Sequence, residues 1–237
     1  MAYSQLLRAD LDTFPTPLLR DDWPEHLEVN TKATYSTKVS VAALARTAKA
    51  AGLHYGDVHN IASTFWGPSL SVVKLSFLST AVSTFLRTFA FAQGTPCNLP
   101  VHLRPLGTNC NWGTGLWEGV VSMYASELAF NHLHHGGMAA TILSDRQYFD
   151  YPSSGPNHVC YSKLIHCYHP QVLFSKFDFL FKKYVDFDMS KLQPNVTTDY
   201  ATYMALMANG QGHGGDTLRD VAFDRLCDTY KEPVQGA

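Results

Sequence analysis

Pro68-Ser-Leu-Ser-Val-Val-Lys-Leu-Ser-Phe-Leu-Ser-Thr-Ala-Val-Ser-Thr-Phe-Leu-Arg-Thr-Phe-Ala-Phe-Ala-Gln93 is the longest stretch of the chain that reads as one unbroken helix. Pro68 and Ser69 suit its first turn and Gly94 suits its stop. Leu70, Val73, Phe77, Val82, Leu86, Phe89 and Phe91 alternate with small Ser, Thr and Ala, which let neighbours approach closely on several sides. Such a helix belongs at the centre of a helical body. Lys74 and Arg87 leave only twelve uncharged residues between them, whereas a membrane span needs about 20 apolar residues. The stretch therefore reads as a buried or interface helix, and no membrane association is expected.

Outward from this helix, residues 38–51 read as helical, capped by Thr37 or Ser40 and ended by Gly52. Another helix is expected from Asp57 to just before Gly67-Pro68. Gly94 to Gly115 is rich in Gly, Pro and Asn and reads as a long loop. Helix returns over 116–135, ending at Gly136-Gly137, with a short helix over 138–144. Ser153-Ser154-Gly155-Pro156 marks a turn. His158 to His169 alternates in a strand-like way, and 171–187 fits helix and strand equally. Helices over 196–209 and 216–231 close the chain. The fold class expected is mainly α: a single compact helical domain over 31–237 with long loops, an extended N-terminal arm over 1–30, and at most a small β element near 158–187. The arm holds Pro15, Pro17 and Pro24. It carries Asp10, Asp12, Asp21, Asp22, Glu25 and Glu28 against Arg8 and Arg20, so it cannot neutralise phosphates. Phe14, Pro15, Pro17, Leu18 and Trp23 are its candidates for contact with a neighbouring subunit.

Composition bounds the function. Of 237 residues, 46% are apolar, 13% aromatic and 16% charged, against about 25% charged in an ordinary soluble domain. This excludes intrinsic disorder and points to a surface covered by other copies of the chain. The charge deficit is local. From Val58 to Trp117 there is no Asp or Glu, and Lys74, Arg87 and Arg104 are the only formal charges. That stretch is core, contact surface, or a mildly positive wall, so these three are the candidates to face nucleic acid or a lumen. Net charge is −2, unlike a polybasic nucleic-acid binder. Five cysteines without repeated spacing argue against a disulfide framework and favour a reducing compartment. Residues 1–20 lack a signal-peptide pattern, and Asn195-Val-Thr197 reads as a chance sequon.

Several constellations could carry chemistry. His132, His134 and His135 sit near a helix end, where imidazoles also suit the dipole. His166, Cys167 and His169 accompany Cys160. Neither group has zinc-ligand spacing. No nucleophile elbow is present, and Gly210-Gln-Gly-His-Gly-Gly215 lacks the strand and Lys-Ser/Thr of a phosphate loop. Ser40 to Phe65 has helix-turn-helix spacing, but its second helix would offer His59, Asn60 and Thr64 without Arg or Lys. No catalytic residue, metal ligand or cofactor is assigned. The alternatives kept are a His/Cys-centred metal-dependent enzyme and, behind it, a helix-turn-helix DNA-binding protein.

Phe14-Pro-Thr-Pro-Leu18, Phe65-Trp-Gly-Pro68 and the Ser/Thr/Phe-rich helix that follows, set in the texture of the whole chain, resemble the capsid proteins of small bisegmented double-stranded RNA viruses. These are the partitivirus, picobirnavirus and curvulavirus-like group. Most members are longer and carry a protruding insertion, so the resemblance implies a compact shell domain. It implies a non-enzymatic coat protein in the virion and host cytoplasm. Such a protein forms a homodimer that builds an icosahedral shell, encloses an RNA genome by weak non-specific contacts, and can package a viral polymerase.

Overall fold

The computed structural model describes residues 3–10, 12–20, 22–31, 33, 35–56, 58–91, 111–112, 116–144, 149, 151–155, 158–167, 174–193, 195–208 and 227. In chain order the first elements are β1 (Gln5–Arg8), β2 (Thr13–Pro15), α1 (Pro17–Arg20), β3 (Leu27–Asn30), α2 (Lys38–Ala50), β4 (Phe65–Pro68) and α3 (Ser69–Phe91). There follow β5 (Asn111–Trp112), β6 (Leu116–Trp117), α4 (Val121–His135), β7 (Ala140–Leu143), β8 (Tyr151–Pro152), β9 (Leu164–His166), α5 (Lys176–Leu180) and α6 (Thr197–Ala208). Among the described residues helices are joined by mixed sheets of four and three strands. The fold is therefore α/β, and the mainly-α expectation is corrected.

The chain divides into two compact units. Residues Met1–Ala9 and Trp23–Ser144 form one, and Asp10–Asp22 and Asp145–Ala237 form the other. The described residues of 1–30, expected as an extended arm, hold β1 and β3 of the four-stranded sheet, β2 of the three-stranded sheet and the short helix α1.

In the first unit the strand order is β1-β4-β3-β7. β4 runs antiparallel to β1 and β3, and β7 runs parallel to β3, with Leu27 opposite Ala140 and Val29 opposite Ile142. Leu27 and Val29 are fully buried, which fixes the register, because a one-residue slip would turn both to the other face. Ala140-Thr-Ile-Leu143 is thus a strand, not the expected short helix; its β-branched Thr141 and Ile142 suit a pleated surface. Gly67 has φ +153, and a Cβ there would stand 2.9 Å from Leu27 Cα, so only glycine lets β4 come this close to β3. α3 and α4 pack together over the sheet: Val72, Leu75, Ala129 and Phe130 bury against Leu27, Val29, Ile61 and Phe65.

α2 starts where the sequence places it. Thr37 accepts from Ser40 N, and Ser40 Oγ accepts from Thr37 N at 2.6 Å, a reciprocal capping box. Gly52 follows at φ +68, the left-handed stop that glycine allows. No helix forms over the described residues between Gly52 and β4, so the helix-turn-helix expectation loses its second helix. α3 is the one described helix long and apolar enough, by length and composition, to cross a membrane.

In the second unit β9 is central, antiparallel to β2 and parallel to β8. The sequence-predicted β element is thus present at Leu164–His166, and α6 matches the helix expected over 196–209. Tyr200 of α6 is fully buried and donates its hydroxyl to Pro15 O at 2.7 Å. Thr16 Oγ1 donates to Ser162 O at 2.5 Å. Cys160 and Cys227 form a disulfide with Cα atoms 5.4 Å apart, where the spacing of the cysteines argued against a disulfide framework. Most of the expected 94–115 loop, and the 216–231 helix apart from Cys227, lie outside the described residues.

Candidate functional site

The β2–β9 ladder brings distant residues of the second unit together. Thr13 pairs with His166, and Cys167 N donates to Asp12 O at 2.9 Å just beyond it. Asp12 therefore lies beside His166 by backbone register alone. Before Asp12 the chain turns: Thr13 N and Oγ1 donate to Asp10 O at 3.2 and 2.6 Å. This turn carries the Asp10 carboxylate back toward Asp12. Ser153 N donates to His166 O at 2.9 Å from the β8 side, so the backbone that bears the imidazole is held on both edges.

One donor atom from each of Asp10, Asp12 and His166 falls within 4.8 Å of the others. His166 Nε2 stands 3.4 Å from Asp12 Oδ1. His166 is only 8% exposed, while both aspartates are half-buried. Two carboxylates this close repel one another, and a divalent cation between them would relieve that repulsion. The donor set is two oxygens and one imidazole nitrogen, which suits a cation of the Mn²⁺ type better than an all-sulfur or all-histidine metal. Three protein donors leave positions open for exchangeable ligands, the arrangement of reactive rather than structural sites. Nearby, Lys163 pairs with Asp22 at 2.7 Å and lies over the Phe149 ring.

A second polar constellation lies in the first unit. Glu127 of α4 is fully buried. Its Oε2 accepts from Asn60 N at 2.7 Å, Tyr35 Oη at 3.0 Å and Ser36 Oγ at 3.1 Å. Its Oε1 accepts from Tyr55 Oη and faces His59 Nδ1 at 3.4 Å. Burial, and then the Glu127 charge, push both Tyr35 and Tyr55 well above the ordinary phenol value. One turn on, Asn131 accepts from Gly56 N at 3.2 Å and donates to Val58 O at 2.7 Å. These two side chains consume the backbone groups that the 53–64 segment would otherwise spend on a helix. The carboxylate is saturated with donors, and its work is to shape that segment.

Among the described residues of the two His/Cys groups singled out in the sequence, His166 alone joins a set of donors that could hold a cation. His132 Nδ1 accepts from His54 N at 3.1 Å, the His135 ring stacks on His54 at 3.6 Å, and His134 stacks on Phe130. Each imidazole at this helix end is thus occupied separately. Cys160 is in the disulfide, Cys167 is a buried thiol, and His169 lies outside the described residues. Lys74 and Arg87 are exposed on α3, and Arg104 lies outside the described residues. Phe14 packs edge-on against Phe174 at 5.8 Å, Pro17 is buried, and Pro15, Leu18 and Trp23 are exposed.

Asp10, Asp12 and Glu127 were not singled out by sequence reasoning. Two carboxylates one residue apart are visible in the sequence, but it is the turn closed by Thr13 N on Asp10 O that brings them together. Nothing local marks their link to His166. Comparison with curated proteins and with solved structures finds no match. A family model described as a domain of unknown function, DUF7164, matches residues 1–211, and the chain belongs to that family.

Proposed function

We propose that this chain is a divalent-cation-dependent enzyme whose reacting centre is built on Asp10, Asp12 and His166, and whose substrate carries phosphate. The observation that carries this reading is the convergence of two carboxylates and one buried imidazole across the β2–β9 ladder. A cation bound through one or two carboxylates characteristically completes its shell with substrate phosphate oxygens, whose charge it neutralises as a bond breaks. Asp10 and Asp12 supply the negative charge that holds it. His166 contributes a ring nitrogen and, being buried, limits water on that side. All three donors must be deprotonated to bind, so affinity falls with pH through the imidazole and then the carboxylate range. The test is a panel of pyrophosphate, nucleoside diphosphates, nucleoside triphosphates and nucleoside diphosphate sugars, incubated with the protein and Mn²⁺ or with a chelator. Turnover that needs Mn²⁺ and disappears in Asp12→Asn supports the reading. Turnover of none of these compounds, or turnover unchanged by the chelator, counts against it.

A second reading, the self-assembling coat protein of double-stranded RNA viruses, is favoured by one observation: the exposed apolar side of α3 within the acid-free stretch Val58 to Trp117. Negative-stain microscopy of concentrated protein tests it. Closed particles support it, and small species alone count against it.

A further inference from the structure

Asn195-Val-Thr197 is the one Asn-x-Ser/Thr sequence in the chain. It lies in the second unit, at the turn that leads into α6, and Asn195 is exposed there. Leu192 and Thr197 on either side of it are buried, so the chain is anchored around an outward Asn195. The backbone fixes this arrangement. Val159 N donates to Asn195 O and Val196 N donates to Gln193 O, both at 2.8 Å, and His158 forms an antiparallel bridge with Val196. Asp188, Ser190, Lys191 and Gln193 before the turn are exposed too, so the surface around Asn195 is polar. The same turn adjoins the disulfide. Val159, which holds Asn195 O, precedes Cys160, and Cys160 is joined to Cys227 across 67 residues. Their Cα separation of 5.4 Å is ordinary for such a bridge. Both cysteines pack with Ile165 and Tyr200, so the bridge belongs to the core of this unit. Cys167, by contrast, is a thiol only 1% exposed, out of reach of an oxidant in solution.

We infer that Asn195 carries an N-linked glycan and that the chain folds in an oxidising, secretory compartment. A sequon is used only where the chain meets the glycosylation machinery and where a bulky sugar can stay in solvent. The Cys160–Cys227 pair speaks to the first condition, because structural disulfides persist in oxidising compartments and are rare in the cytosol. It removes the ground for the reducing compartment that the cysteine spacing favours. The exposure of Asn195 meets the second condition. The acceptor is the Asn195 side-chain amide, and the donor is an oligosaccharide linked through diphosphate to a membrane lipid. The bond from Nδ2 to the first sugar carbon forms, the bond from that carbon to the diphosphate oxygen breaks, and the lipid diphosphate leaves. The amide proton passes to solvent, and nothing is oxidised or reduced. Thr197, whose hydroxyl the sequon requires, is fully buried once the unit has folded, so the transfer precedes folding. This inference does not rest on the cation site, and it departs from the cytoplasmic setting that the coat-protein resemblance implies.

The experiment is peptide mapping by mass spectrometry of the protein isolated from its source, with thiols alkylated at lysis. The peptide that holds Asn195 should carry a glycan that peptide-N-glycosidase removes, leaving an aspartate in its place. Cys160 and Cys227 should be recovered in one disulfide-linked pair of peptides. In parallel, the full chain directed through the secretory pathway of eukaryotic cells should show one glycosidase-sensitive step in gel mobility. That step should be lost completely in Asn195→Gln, an exposed position where folding is spared, and kept in Thr197→Ser, which preserves the sequon. An unmodified Asn195 in the protein from its source overturns the inference, whether or not the disulfide is found. So does a mobility step that survives Asn195→Gln, or the absence of any step in the secreted full chain.

Discussion

Glu127 shows what a buried charge costs and how this chain meets the cost. Its partners among the described residues are two phenols, a serine hydroxyl, a backbone amide and His59, rather than a Lys or Arg. Hydrogen bonds to a charged acceptor contribute about 1.5–3 kcal/mol each, and breaking a buried charged set costs about 3–5 kcal/mol. Glu127→Gln places an amide NH₂ where a donor already points. It is expected to lower stability by about 3 kcal/mol in urea unfolding. The same cluster sets an alkaline limit. Tyr35 and Tyr55 are held protonated in the folded chain above the ordinary phenol value of about 10, first by burial and then by Glu127. The unfolded chain therefore releases those protons first. Their contribution to stability is complete below about pH 10 and is lost as pH rises beyond it. The thermal midpoint should be level through neutral pH and fall above about pH 10, and Tyr55→Phe should make that fall shallower. A midpoint that stays level to pH 11 would remove the phenols from the account.

At the scale of elements, local rules set some boundaries and long-range partners set others. The α2 start follows from Thr37 and Ser40 alone, and Thr37→Ala should cost about 1 kcal/mol in a thermal or urea melt. α3, α4 and α6 were equally legible, because periodicity and glycine stops are written into neighbouring residues. The helix expected from Asp57 to just before Gly67 fails for a reason 67 to 75 residues away: Glu127 and Asn131 of α4 take the Asn60, Gly56 and Val58 backbone groups. β7 was misread because four residues carry too little periodicity, and its strand character comes from parallel pairing with β3. β3 itself was hidden among acidic residues and prolines. Its two buried positions, Leu27 and Val29, are meaningful only once β4 and β7 flank them. The candidate site was half visible. His166 stood out by residue type, whereas Asp10 and Asp12 read only as part of an acidic segment, and their meeting with it depends on a β2–β9 register that no local pattern encodes.

At the scale of the molecule, low charge and an acid-free central stretch remain the features that any account must place. The structure puts much of that stretch in α3, whose inner side builds the core and whose outer side exposes Leu70, Val73 and Phe77. The acidic N-terminal segment changes meaning more completely. What looked like an arm supplies strands to both units, and two of its carboxylates stand beside His166. Membership of the DUF7164 family brings no activity with it, so the chemistry rests on that donor set. The most direct test is calorimetric titration of the full chain with Mn²⁺, with the paramagnetic spectrum of the ion as a second readout. The account predicts one saturable site per chain, lost or weakened by about a hundredfold in both Asp12→Asn and His166→Ala while circular dichroism is unchanged. Absence of Mn²⁺ binding by the intact protein, or binding that survives both substitutions, would contradict it.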